Sequence, residues 1–239
     1  LSEKVLPRPL RRAIEHIFSQ NIQGCVLVGG TAIAGYYAGH RRSDDMELFT
    51  KDAAAQIATI KACQSLVNLG AKLVEHQHTP SYYKATCTLD GHIFTIDIVL
   101  DAHLHQVGHT VRLENAVVVA SLLTLLKMKA SSLISRCSEK DLYDIKWILG
   151  KMPDVTINDL LNWALEMDAG AMPESLYNVV ASTVLRKAAC DFSLFSEIGP
   201  EVVYKELTQL KKELAKAIED AINKKPLPAF GKLFRLLKD

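Results

Sequence analysis

Residues 28–50, VGGTAIAGYYAGHRRSDDMELFT, decide the reading of this chain. A spacer of fourteen residues separates the glycine pair Gly29-Gly30 from Asp45-Met46-Glu47. In a strand, residues two apart share a face, so DMELFT projects Asp45 and Glu47 together while Met46 and Leu48 turn to the core. Two neighbouring carboxylates repel unless protons or cations relieve them, and hard divalent ions such as magnesium or manganese prefer such oxygens. Upstream, GCVLV reads as a short buried strand running into the glycines. Thr31 is placed to cap a helix, AIAGYYAG, that stops at Gly39. A strand that ends in two glycines and feeds a helix start offers backbone N–H groups to a phosphate. Ser43 can add a hydroxyl, and Arg41 or Arg42 can neutralise a triphosphate.

A third carboxylate stands in a similar setting. In HIFTIDIVL, Phe94, Ile96, Ile98 and Leu100 alternate with Ile93, Thr95, Asp97 and Val99. Asp97 is thus a charge set mid-strand among apolar neighbours, a position that needs a partner. If this strand lies beside MELFT, Asp97 joins Asp45 and Glu47. Three carboxylates can hold two metal ions about 4 Å apart, which suits activation of an attacking oxygen and stabilisation of a leaving phosphate. Asp97 is also the best candidate for taking the acceptor's proton. Asp101 shares its strand parity and is the alternative carboxylate.

The rest of the chain supplies the surroundings. RPLRRAIEHIFSQ has a helical period, and KDAAAQIATIKACQSLVNLG reads as a helix closed by Gly70. AKLVEHQ, SYYKATCTL and HIFTIDIVL are strand-like, with Asp90-Gly91 a hairpin signal between the last two. From about Val117 the pattern turns helical through VASLLTLLKMKASSLIS, SEKDLYDIKWILG, INDLLNWALEM, PESLYNVVASTVLRKAA and PEVVYKELTQLKKELAKAIEDAI. The expectation is an α/β domain over residues 1–115 and a helical domain over 116–239.

With 239 residues, 49% of them apolar and 23% charged, the composition is that of an ordinary globular protein. A net charge of +1 excludes chain-wide polybasic character, so any nucleic-acid partner must be held locally. Five scattered cysteines without a CxxC pair fit reduced thiols. The first residues show no secretory leader, and AVVVASLLTLL is too short to span a bilayer. The expected setting is the cytoplasm, with no membrane partner.

The pattern of an apolar residue, Gly-Gly, a spacer and Asp-apolar-acid-apolar resembles the polymerase-beta-like nucleotidyltransferase superfamily. More narrowly, LVGGTAIAGYYAGHRRSDDMELFT resembles the AbiEii/AbiGii nucleotidyltransferase toxins, which tend to carry Gly-Gly-Thr and then Arg-x-Ser-x-Asp-apolar-Asp followed by Leu-Phe or Phe-Phe. A lysine near the end of SLLTLLKMKASSLISR and the block KDLYD (Lys140, Asp141, Asp144) extend the match over roughly residues 24–150. The resemblance implies an α+β fold: a polymerase-beta-like domain with a mixed sheet flanked by helices, followed by an all-helical domain. It implies that Asp45, Glu47 and Asp97 bind Mg2+ (or Mn2+), and that Gly29, Gly30 and Ser43, with Thr31, Arg41 and Arg42 beside them, bind the NTP phosphates. Lys129 would meet the nucleotide or acceptor, and Asp144 would support the site; Lys127 lies on another side of the same helix. The reaction implied is transfer of a nucleoside monophosphate to a hydroxyl of RNA, such as tRNA, or of protein, by the toxin of a pair with a cognate antitoxin. Alternatives are adenylylation of a small antibiotic and a degenerate binding module. The chain departs from the toxins at Glu47, where most carry aspartate.

Two other features have rival readings. His76, His78, His92, His103, His105 and His109 crowd one third of the chain, and HLHQVGH could hold zinc, although no cysteine or acidic ligand stands at zinc-site spacing. From residue 201 onward nine Lys/Arg face six Asp/Glu, which fits an exposed amphipathic helix or a contact to an RNA backbone.

Overall fold

Leu10, Ala13, Ile14, Ile17 and Phe18, at helical spacing, bury one side of α1 (Arg8–Ser19). The computed structural model describes residues 3–194 and 198–224. It resolves into two compact units, Leu1–Leu125 and Leu126–Asp239.

In the first unit β1 (Cys25–Val28), buried throughout, leads into α2. This helix takes an α-turn at Gly29–Ala32, continues with π-helical bonding over Ile33–Ala38 and ends at Gly39 in the left-handed region (φ +64°). β2 (Asp45–Thr50) follows, then α3 (Ala53–Gln64), whose N-cap Asp52 accepts from the Ala55 N–H at 2.8 Å. The chain continues through β3 (Lys72–His78), β4 (Tyr82–Leu89), β5 (His92–Leu100), α4 (Ala102–Val107), β6 (Thr110–Arg112) and β7 (Val118–Ala120). The seven strands form one mixed sheet in the order β3-β4-β5-β2-β1-β7-β6. β2 runs parallel to β5, and β1 parallel to β7. Asp90 (φ +49°) and Gly91 (φ +78°) make the β4–β5 turn, both in the left-handed conformation that a two-residue hairpin requires.

Alternation sorts the sheet's faces. Met46, Leu48, Tyr83, Ala85, Ile96 and Ile98 are buried on one side. Glu47, Tyr82, Lys84, Thr95 and Asp97 take the intervening positions and stay partly open. Burying each large apolar side chain contributes about 1.5–3 kcal/mol. A one-residue slip of β2 or β5 would exchange these sets, so core packing also fixes the register of the acids.

Two local expectations are corrected. The run after Val117 does not enter a helix directly. Val118–Ala120 is β7, paired with β1 at Leu27↔Val119, and only then does α5 (Leu122–Ser132) begin. β-Branched residues suit a pleated surface, and the parallel neighbour outweighs the helical period that follows. β6 and β7 thereby draw residues 110–120 into the sheet. Nor does Thr31 cap the helix after it: the helix already starts at Gly29, and Thr31 lies within its first turn.

The second unit is helical: α6 (Glu139–Lys151), α7 (Ile157–Met167), α8 (Pro173–Ser182) and α9 (Pro200–Ile222) follow α5. Ser138 caps α6, and Thr156 with Asp159 forms a capping box on α7. α9 packs on α6, α7 and α8. Its buried stripe is Val203, Leu207, Leu210, Leu214, Ala217 and Ile218, the amphipathic pattern expected of it. Among the described residues no helix is long and apolar enough to cross a membrane. All five cysteines are buried free thiols.

Candidate active site

The register of four strands lines up the chemistry. Val28 pairs with Glu47, Glu47 with Asp97, and Asp97 with Lys84, while Asp45 pairs with Thr95. Adjacent strands lie about 4.8 Å apart, so Glu47 and Asp97 are backbone neighbours on one face, with Asp45 two residues before Glu47. Thr95 Oγ1 donates to Asp45 Oδ1 at 2.7 Å. The Tyr82 hydroxyl donates to Asp97 Oδ1, and the Lys84 ammonium stands 3.3 Å from that same oxygen. The Asp97 carboxylate holds the Lys84 ammonium above its ordinary value. Burial, then the hydrogen bond to Asp97, raises the Tyr82 phenol.

Tyr82, Lys84 and Thr95 were not among the residues expected at this site. A signal for Lys84 exists. Counting outward from the Asp90-Gly91 turn pairs Leu89 with His92 and, in step, Lys84 with Asp97.

The glycines make room for the chain's own charges. Gly29 has φ +69°, and a Cβ there would fall 1.3 Å from Glu47 Oε2. A Cβ on Gly30 would fall 2.3 Å from an Arg41 guanidinium nitrogen and 3.2 Å from Ser43 Oγ. Thr31 Oγ1 is hydrogen-bonded to Ser43 Oγ at 2.9 Å and to the Asp45 carbonyl. Arg41 is buried and donates to the Arg42 carbonyl at 3.0 Å, whereas the Arg42 side chain is exposed. Gly29, Gly30, Thr31, Arg41, Ser43, Asp45 and Glu47 therefore belong to one neighbourhood.

Asp101 is committed elsewhere, as the N-cap of α4 accepting from the Leu104 N–H at 2.9 Å. In the helical unit Lys129 Nζ lies 2.7 Å from Asp141 Oδ1 and 3.0 Å from Asp144 Oδ2. Lys127 pairs instead with Glu166 at 2.6 Å. The Lys129, Asp141 and Asp144 side chains are 8%, 2% and 0% exposed. Burial pushes the Asp141 carboxyl up, but Lys129, Ser138 and Arg136 together outweigh it and hold it below its ordinary value.

Among the described residues no three or more His, Cys, Asp or Glu side chains converge as an ion would require. The histidines are dispersed: His76 bonds Thr86 at 2.7 Å, His78 lies 3.7 Å from Glu75, and His92 lies 3.1 Å from Asp44. In the carboxylate row, Asp45 is turned to Thr95, Asp97 to Tyr82 and Lys84, and Glu47 toward Gly29. As a donor set these three still fit a hard divalent cation, because all offer carboxylate oxygen from one face of adjacent strands.

The family described as nucleotidyl transferase AbiEii toxin, type IV TA system, matches residues 12–233. The chain belongs to the AbiEii nucleotidyltransferase toxin family. Solved structures share the fold over most of its length. A candidate nucleotidyltransferase from Helicobacter pylori superposes with a TM-score of 0.54 at 18% identity, covering 92% of this chain and 99% of its own. A second Helicobacter pylori protein, JHP933, gives 0.53 at 16%, covering 92% and 97%. MenT4, a nucleotidyltransferase toxin of Mycobacterium tuberculosis, gives 0.52 at 14%, covering 87% and 85%. No curated protein matches the chain. The AbiEii fold accounts for the mixed sheet with helices and the helical second unit, and the AbiEii chain is a nucleotidyltransferase.

Proposed function

We propose that this AbiEii chain moves a nucleoside monophosphate from an NTP to a hydroxyl of a macromolecular acceptor, RNA such as tRNA or a protein. Pyrophosphate leaves, and the activity is held in check in the cytoplasm by a cognate antitoxin. The observation that carries the reading is the backbone pairing of Glu47 with Asp97 beside the Gly29-Gly30 turn. It sets an acidic row for a divalent cation next to a backbone that can approach phosphates.

Asp45, Glu47 and Asp97 would hold Mg2+ or Mn2+, which supplies charge neutralisation and a more nucleophilic acceptor oxygen when bound. Gly30 N–H and the Ser43 hydroxyl hold the terminal phosphates, with Thr31 fixing Ser43. Arg41 and Arg42 offset the triphosphate charge. Asp97 takes the acceptor's proton, and alignment of the two reacting atoms supplies much of the rate. In the helical unit, Lys129 and Asp144 belong to a buried charged cluster with Asp141.

The test is to incubate the chain with each α-labelled NTP, Mg2+ or Mn2+, and separate RNA, protein and small-amine acceptors. Label is expected in the RNA or the protein fraction and absent with Asp45→Asn. Transfer that survives Asp45→Asn, or proceeds unchanged in excess chelator, would sink the proposed site. Label in the small amines alone would transfer the reading to antibiotic modification. NTP binding without transfer to any fraction would favour a binding module.

A further inference from the structure

The side chains on Asp97 bring a positive charge into the row that the divalent cation would occupy. Lys84 sits directly across from Asp97, on the strand away from Glu47. Its ammonium and the Tyr82 hydroxyl converge on one oxygen, Oδ1, instead of dividing between the two. The Lys84 side chain is 41% exposed and the Asp97 carboxylate 18%. Two donors on one oxygen turn the carboxylate toward β4 and away from Glu47. Three acids in a row require neutralisation whether or not a divalent ion is present, and a lysine at the Asp97 end of the row provides part of it.

The geometry points to Lys84 as a built-in counter-cation that competes with the divalent ion for Asp97. It is a positioning residue, acting through the carboxylate it holds, and the inference rests on the reading of Asp97 as a metal-binding group. Without the ion, Lys84 and Tyr82 keep Asp97 turned aside. An ion bound through Oδ1 would displace the ammonium from that oxygen. Being partly exposed on the same face, the ammonium is then free to meet the phosphates of an incoming NTP. Affinity for the ion is accordingly set below what three unopposed carboxylates would give, so metal loading becomes dependent on nucleotide.

Mn2+ alone, titrated into the full chain with free ion read from its paramagnetic resonance signal, tests this. Lys84→Met and Lys84→Gln should bind Mn2+ about two- to fivefold more tightly than the wild type, the range expected for removing a partly exposed ion pair. Lys84→Arg, which keeps the charge, should restore wild-type affinity to within about twofold. Adding a non-hydrolysable NTP analogue should narrow the gap between wild type and Lys84→Met. Unchanged or weaker Mn2+ binding by both neutral variants, with wild-type binding intact, would overturn the competing role and leave the proposed reaction standing. Loss of Mn2+ binding in every chain, wild type included, would overturn both.

Discussion

Glu47 Oε2 occupies the space where a side chain on Gly29 would begin, 1.3 Å from an ideal Cβ. Gly29 also has φ +69°, a conformation costly for any residue with a Cβ. Gly29→Ala should therefore combine backbone strain of about 1–2 kcal/mol with displacement of the Glu47 carboxylate. Gly91, at φ +78° with nothing within 4 Å, provides the control, since its alanine variant meets the strain alone. Chemical denaturation should show both variants destabilised, and nucleotide transfer should fall in Gly29→Ala only. Equal activity in the two would mean that the Glu47 position does not matter to the reaction.

The same contact makes Gly29 and Glu47 a coupled pair. Glu47→Asp draws the carboxylate back by one methylene and out of the space that Gly29 leaves open. In the wild-type background this should weaken Mn2+ binding. In the Gly29→Ala background it should remove the clash, so the double variant is less destabilised than the sum of the single ones. Coupling of about 0.5–3 kcal/mol is usual for residues in contact, and additivity within error would show that they act independently.

Thr31 is buried, and its hydroxyl bridges Ser43 Oγ at 2.9 Å and the Asp45 carbonyl. Thr31→Val keeps the shape and deletes both bonds. Leaving buried partners unsatisfied should cost about 1–3 kcal/mol. If Ser43 holds phosphate, the variant should also raise KM for NTP more than it lowers kcat, and Ser43→Ala should do the same. A stability loss with unchanged KM would confine Thr31 to a structural role.

Much of this site is legible before any coordinates. The two-residue period of DMELFT puts Asp45 and Glu47 on one face, and Asp97 joins them because β2 pairs with β5 as that reading needs. Asp90-Gly91 marks its hairpin because few residues other than glycine, aspartate and asparagine accept the backbone required there. What stays hidden depends on distant partners. The glycine pair reads as a phosphate cradle, yet the space it leaves is shaped by Glu47 and Arg41, from the strand and loop that follow. Residues 118–120 look like a helix approach until β1 is known to lie beside them. Lys127 and Lys129 are alike in sequence, and only the placement of Asp141, Asp144 and Glu166 separates them.

Lys129 makes the sharpest pH prediction in the helical unit. It is the cation shared by Asp141 and Asp144, both almost wholly buried. Lys129→Met would leave these acids in a low-dielectric setting with Arg136 on Asp141 as a largely exposed remnant, 60% accessible. Breaking a buried pair from one side costs about 3–5 kcal/mol. In the wild type the folded-state pKa of Asp141 lies below its unfolded value. Its contribution is therefore present above the ordinary carboxylate range and lost as pH falls through the folded pKa. In Lys129→Met the sign reverses. Burial without the ammonium raises the folded pKa of the acids, so the folded chain binds protons more readily than the unfolded one, and stability rises as pH is lowered from 7 toward 5. Urea denaturation of both chains across that window should give a flat or falling wild-type curve and a recovering variant. A variant that loses stability in parallel with the wild type would show that Lys129 does not carry the charge of this cluster.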